Sequence, residues 1–220
     1  MVRSSVNRIR VALFGSYYRG FFVLNELLNG PLKDRLTVVG VATDDPTATF
    51  VSVGKRVWRY GYSNDERELV KSLAASAGLR AYDARVKTEA FYRLYEDVWQ
   101  PDLCLMATFG QRIDERLFTY PRFGFINLHP SDDDDWPSRY AGPDPFSEML
   151  KDDCANCVIT LHRVDNGFDT GERLLVSDTI PIPSGASVID MHKISAPFAA
   201  AGVRTLLENA PWLAGELIAN

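Results

Sequence analysis

Cysteine and histidine are both scarce in this chain, three of each among 220 residues. Cys104, Cys154 and Cys157 make no convincing disulfide framework. Cys154-Ala155-Asn156-Cys157 is a lone pair, whereas a structural zinc site wants a second pair at suitable spacing. It leads into an apolar strand instead of opening a helix after one, so a thioredoxin-like redox role does not fit. The pair reads as a turn with a partly buried thiol. The histidines, at 129, 162 and 192, are scattered and suggest no metal-ligand cluster. No apolar stretch approaches the length of a membrane span, and residues 1–10 lack the apolar core of a signal peptide. Cytoplasm is therefore the expected location, with no membrane partner. Basic charge is also short: 24 Lys and Arg stand against 29 Asp and Glu, a net charge of −5. That argues against general nucleic-acid binding, which wants a basic face. There are no internal repeats, and the turn Gly15-Ser16-Tyr17-Tyr18-Arg19-Gly20 does not match the G-x-G-x-x-G of a dinucleotide fold.

An apolar content of 46% over this length is enough for one α/β domain with a sizeable core, spanning residues 1–220. Apolar runs predict strands over 8–15, 36–43, 102–108, 123–129, 158–164 and 173–182. Helical spacing and end signals predict helices around 21–28 and over 65–77, 88–99, 145–151 and 187–209. Residues 47–63 read as loop, with Trp58, Tyr60 and Tyr62 as packing groups. Alternating strands and helices imply a mostly parallel, Rossmann-like twisted sheet covered on both faces, with the last two strands pairing antiparallel.

The most informative segment is Gly-Phe-Ile-Asn-Leu-His-Pro-Ser at 124–131, an apolar run ending in a carboxamide and an imidazole. Alternation puts Asn127 and His129 on one side of a strand. An amide NH₂ can donate to a developing oxyanion, and a neutral imidazole can take or pass a proton. Asp169, on the later loop Asn166-Gly167-Phe168-Asp169-Thr170-Gly171, would orient that imidazole and raise its pKa. These are the parts needed for acyl transfer through a tetrahedral intermediate.

Together with Tyr140-Ala141-Gly142-Pro143-Asp144-Pro145, and the strand and loop over 158–171, this ordered set resembles the folate-dependent formyltransferases. That family includes glycinamide ribonucleotide, methionyl-tRNA and sugar-amine transformylases. The resemblance extends weakly to residues 11–15 and 105–111, and so to most of the chain. It implies 10-formyltetrahydrofolate as co-substrate and transfer of its formyl group to an amine. Asn127 would stabilise the oxyanion, His129 would stabilise it or relay protons, and Asp169 would hold His129 in its working state. The folate would lie between Met106, Ala107, Phe109 and Gly110 on one wall and Val164, Asp165, Asn166, Gly167 and Phe168 on the other.

Two departures bear on the acceptor. Tyr17, Tyr18 and Arg19 replace the small residues of a phosphate-cradling turn, which weakens a glycinamide ribonucleotide assignment; Arg19 itself is either an anion ligand or a solvated helix start. The link after Ser131 is longer than in most relatives and carries Asp132, Asp133, Asp134 and Asp135, a negative rim that would favour a cationic acceptor. The expected substrate is a small amine or hydroxylamine, with an ornithine-like one as a candidate. Glycinamide ribonucleotide, an amino-sugar nucleotide, simple hydrolysis of the formyl donor, and a non-catalytic folate-binding module stand as alternatives. The chain stops soon after its last predicted helix, so the extra domain with which methionyl-tRNA transformylases bind tRNA is not expected.

Overall fold

A computed structural model describes residues 8–48, 56–132 and 136–211. Its strands are β1 (Ile9–Gly15), β2 (Leu36–Ala42), β3 (Leu103–Ala107), β4 (Phe125–Ser131), β5 (Asn156–Arg163), β6 (Arg173–Val176) and β7 (Ile180–Pro181). They form one sheet in the order β2-β1-β3-β4-β5-β6, with β7 paired to β5. The four strands from β2 to β4 run parallel, and β5 is antiparallel to both β4 and β6. Its helices are α1 (Tyr17–Asn29), α2 (Asn64–Ser76), α3 (Glu89–Arg93), α4 (Glu115–Phe118), α5 (Pro145–Lys151) and α6 (Val188–Asn209).

Strand alternation sorts the core into two layers. Ile9, Val11 and Leu13 of β1, Leu103 and Leu105 of β3, and Ile126 and Leu128 of β4 pack with Val23, Leu24 and Leu27 of α1 and Val203 and Leu207 of α6. Ala12, Phe14, Cys104 and Phe125 face the other way, against Phe91, Tyr95, Trp99 and Leu117. Helices therefore cover both faces, and the alternating sequence pattern has its expected outcome. Gly20 lets α1 approach the end of β1 closely, because a Cβ there would lie 2.6 Å from the Gly15 carbonyl carbon. Capping boxes start α2 at Ser63 and Glu66 and α6 at Ser187 and Asp190.

Four local expectations need revision. The predicted strand over 173–182 is two short strands. Between them Ser177 gives its N–H to the Ile159 carbonyl and its Oγ accepts from the Ile159 N–H, so a side chain takes the place of a ladder pair. The segment 47–63 includes a short 3₁₀ turn, Arg56–Tyr60. The helix predicted over 88–99 is α3 followed by a π-helical turn, Leu94–Trp99. Helix α4 was not anticipated; Asp114 caps it by accepting from the Leu117 N–H.

The register at β4 positions the site. Pairing with β3 ends at Met106 opposite Asn127, while pairing with β5 continues through Pro130 to Ser131. Strand β4 is thus displaced by two residues from the predicted 123–129, and it outruns its parallel neighbour. Beyond Ala107 the chain turns away at Thr108, whose φ is +59°. The side of β4 carrying Asn127 and His129 is left at the wall of a cleft, the carboxyl-end crevice typical of open α/β sheets.

Candidate active site

Asn127 and His129 lie on the same side of β4, and antiparallel pairing sets His162 of β5 directly opposite Asn127. All three are nearly buried, at 9%, 5% and 2% exposure. Asp169 comes from the loop between β5 and β6 and reaches all of them. Its Oδ1 accepts from Asn127 Nδ2 at 2.8 Å and lies 3.4 Å from His162 Nε2. Its Oδ2 accepts from the Gly142 N–H at 2.9 Å and lies 3.4 Å from His129 Nδ1. The expected meeting of Asn127, His129 and Asp169 is therefore present, without an intervening spacer.

The loop is forced into this shape. Asp169 adopts a left-handed backbone, φ +52°, which is uncommon for a residue with a side chain and persists only where surroundings impose it. Gly171 permits the close return to β5, since a Cβ there would sit 1.9 Å from the Arg163 carbonyl oxygen. The Gly171 carbonyl accepts from Trp136 Nε1 at 2.7 Å, and the Trp136 ring lies 4.8 Å from that of His162.

Hydrogen bonding sets the tautomers. His129 Nε2 is 2.9 Å from the Tyr140 carbonyl, which can only accept, so that nitrogen carries a proton and Nδ1 holds the lone pair facing Asp169. His162 Nδ1 likewise donates to the Arg163 carbonyl at 2.8 Å, leaving Nε2 to accept from Asn127 Nδ2 at 3.2 Å. Both amide hydrogens of Asn127 are engaged in the resting site, one by Asp169 and one by His162.

Burial pushes the His129 imidazole below its ordinary value, and the Asp169 carboxylate pulls it up by less than burial takes away. The expected upward pull of Asp169 on His129 is present, but full desolvation of the cation outweighs one carboxylate, so the ring ends below its usual value. Burial alone would raise Asp169, but the neighbouring His162 and His129 rings and the Gly142 N–H outweigh it and hold the carboxyl at about 2. The resting arrangement is an ionised Asp169 beside a neutral His129. A proton arriving at Nδ1 would be shared with Asp169 while Nε2 stays on Tyr140.

These groups stand in the wall of a cavity of about 370 Å³. Of the residues expected to hold folate, Met106, Phe109, Val164, Asp165, Gly167 and Phe168 line it. Three do not. Ala107 is wholly buried and its carbonyl accepts the Ser16 N–H; the Gly110 N–H is taken by the Asp44 carboxylate; Asn166 turns its carbonyl to Arg112 at 3.1 Å. Phe168 is 57% exposed at the rim and lies under the Arg112 guanidinium.

Residues that motif reading left out also belong to the cleft. His162 was visible as a polar residue in an apolar strand, but only the β4–β5 register places it against Asn127. Gly142 and Tyr140 contribute backbone groups, for which side-chain identity gives no signal. Arg19, Thr108 and His192 join from three separate elements. Tyr17 and Tyr18 do not enter: Tyr17 is buried against Trp58, and both phenols reach Glu66. Asp132 is outside the lining and is bound by Ser138 Oγ at 2.8 Å and Arg139 Nε at 3.1 Å. Asp133, Asp134 and Asp135 lie outside the described residues. Among the described residues no group of three potential ligands could hold a metal, and no helix is long and apolar enough to cross a membrane.

The site is thus an amide, an imidazole and a carboxylate gathered at the crevice of a parallel sheet extended by an antiparallel strand. The chain belongs to the formyl transferase family, whose sequence model matches residues 44–202. It is similar to the methionyl-tRNA formyltransferase of Syntrophomonas wolfei subsp. wolfei, 31% identical over 118 residues covering 53% of this chain and 35% of the relative. A second such relative, from Macrococcus caseolyticus, is 31% identical over 145 residues, 64% of this chain and 43% of its own. The chain thus spans about a third of the length of the first of these relatives. In fold it is similar to the phosphoribosylglycinamide formyltransferase from Anaplasma phagocytophilum, with a TM-score of 0.65 and 18% identity over 92% of this chain and 89% of the other. A formyltetrahydrofolate deformylase from Pseudomonas syringae pv. tomato gives a TM-score of 0.64 at 18% identity, over 92% and 62%.

Proposed function

We propose that this chain moves the formyl group of 10-formyltetrahydrofolate to the amine of a small acceptor, with Asn127, His129 and Asp169 as its catalytic residues. The observation that carries the proposal is the convergence of an amide, a neutral imidazole and an ionised carboxylate on the wall of one cavity. The donor supplies an activated formyl group. A flat heteroaromatic ring suits the apolar part of that cavity, between Met106 and Phe109 on one side and Val164 and Phe168 on the other.

The roles follow from the hydrogen bonds. Asn127 Nδ2 swings one of its two hydrogens from His162 or Asp169 to the formyl oxygen as negative charge develops there; donors of this kind contribute about 10²- to 10³-fold. His129 Nδ1, with its lone pair free, accepts the proton that the attacking amine must lose. The imidazolium so formed is held at both nitrogens, by Asp169 and by the Tyr140 carbonyl. Proton transfer of this type contributes about 10²- to 10⁴-fold. Asp169, ionised well below neutral pH, stabilises that charge and returns the proton toward the departing nitrogen.

The deciding experiment is an acceptor panel with 10-formyltetrahydrofolate, following loss of the formyl group and appearance of the formylated amine. It should include free amino acids, ornithine derivatives, glycinamide ribonucleotide, amino-sugar nucleotides and methionyl-tRNA. Transfer to a small amine, abolished in Asn127→Ala and His129→Ala, is the expected result. Formate release at equal rates with and without any amine would assign hydrolysis instead. Transfer to methionyl-tRNA alone would reject the small acceptor.

A further inference from the structure

Arg19 sits in the first turn of α1 and forms part of the cavity wall, yet it is only 5% exposed. Its Nε donates to Thr108 Oγ1 at 2.8 Å, its Nη2 lies 3.5 Å from His192 Nδ1, and its Cζ is 5.5 Å from the centre of the Phe146 ring. Its buried Nη1 has no hydrogen-bond partner. The other cavity-lining arginine, Arg112, is held by the Asn166 carbonyl and the Phe168 ring at the exposed rim. Elsewhere Arg59, Arg67, Arg116, Arg122, Arg139, Arg163 and Arg204 each have a carboxylate. Arg19 has none among the described residues. A buried cation without a counter-ion is costly, and a guanidinium has five donors to satisfy.

We infer that Arg19 is the docking point for a carboxylate carried by the amine acceptor, so that the substrate is an amino carboxylate. This rests on the proposed formyl transfer. The acid group would occupy the Arg19 end of the cavity and leave the amine at His129 and Asp169. Three observations select a carboxylate. The planar fork of a guanidinium matches a carboxylate with two parallel bonds, and Nη1 and Nη2 are the donors left over. The side chain is held in advance by Thr108 and Phe146, so little freedom is lost on binding. Local charge then favours a monoanion: no carboxylate among the described residues pairs with Arg19, while Asp169, ionised in the wall of the same cavity, would oppose the second negative charge of a phosphate. Burial lowers Arg19 itself only to about 10, so it remains a cation at neutral pH.

The test uses ω-amino carboxylates from glycine to 5-aminopentanoate, each beside its carboxamide, and aminomethylphosphonate. The wild-type chain should formylate at least one carboxylate with a KM about thirtyfold or more below that of its amide, the lower end for losing one partner of a buried charge pair. Arg19→Met should raise the KM for that carboxylate by a similar factor. It should leave the amide and the folate within twofold, with Arg19→Lys in between. Arg19→Met should also melt at or above the wild-type temperature, because it removes an unpaired buried charge; a merely structural arginine would lower it. A direct arm needs no turnover: the same carboxylates should raise the melting temperature of the wild type and not of Arg19→Met. Equal use of carboxylates and amides, an equal loss of both in Arg19→Met, or preference for the phosphonate would overturn the assignment. If no amine is formylated, the proposed function falls, and the melting series alone decides whether Arg19 binds carboxylates.

Discussion

Replacing Asp169 by asparagine isolates one charge in an otherwise intact site. The carboxylate lies 3.4 Å from His129 Nδ1, which at an effective dielectric of about 20 corresponds to an attraction of at most roughly 5 kcal/mol for the imidazolium. Spreading of both charges over their groups lengthens the effective separation, so a loss of about 10²- to 10⁴-fold in kcat is expected. An amide has one acceptor oxygen where the carboxylate has two. It can keep the bond from Gly142 or the bond from Asn127, and its NH₂ then faces a donor on the other side. The variant should lose about 1.5 to 3 kcal/mol of stability from that hydrogen bond to a charged acceptor, partly offset because a buried charge has gone. The sign of the pH effect is fixed as well. Asp169 is what pulls His129 up against burial, so without it the acid limb of kcat/KM should move to lower pH while its plateau falls. The measurements are formyl-donor consumption from pH 5 to 8 with saturating amine, and urea unfolding of both chains. A kcat within threefold of wild type, or an acid limb shifted upward, would refute the role given to this carboxylate.

Asn127→Ala and His129→Ala should each lower kcat by about a hundredfold or more with little change in folate affinity, since both groups act on charge that develops during reaction; steady-state kinetics with separate donor-binding measurements check this. His162→Ala should reduce kcat about five- to 150-fold by leaving the Asn127 amide one partner short, and should do so without shifting the acceptor KM. Gly171→Ala must displace the Asp169 loop, since its Cβ would meet the Arg163 carbonyl, and should cost about 1 to 3 kcal/mol of stability together with activity. Acid unfolding should begin near pH 6.5: burial holds His129 and His192 below their unfolded value, so the stability they contribute is full above about 6.5 and is lost as pH falls toward their folded values. The limiting slope is about 1.4 kcal/mol per pH unit for each group, and His192→Gln should flatten it. A second loss follows as pH drops from 3.8 to about 2 through the Asp169 carboxyl.

Alternation along the chain decided the fold class. Ile9, Val11 and Leu13 against Ala12 and Phe14 already specify a strand buried on both faces, and the spacing of Val23, Leu24 and Leu27 specifies the helix that covers one of them. Period and polarity are local properties, so they are readable without neighbours. The same holds for the shared side of Asn127 and His129, which two-residue spacing fixes, and for the helix over Pro145–Lys151, whose proline start is local. The tertiary structure decided everything that depends on register and on the return path of loops. It set His162 against Asn127 through the β4–β5 pairing, put the Tyr140 carbonyl on His129 and the Gly142 N–H on Asp169, and broke the strand over 173–182 at Ser177. It also removed the solvated reading of Arg19, because whether a cation is solvated or buried without a counter-ion depends on what α5, α6 and the turn at Thr108 bring beside it. Backbone donors and buried charge have no signature in residue type; they exist only once distant segments are packed together.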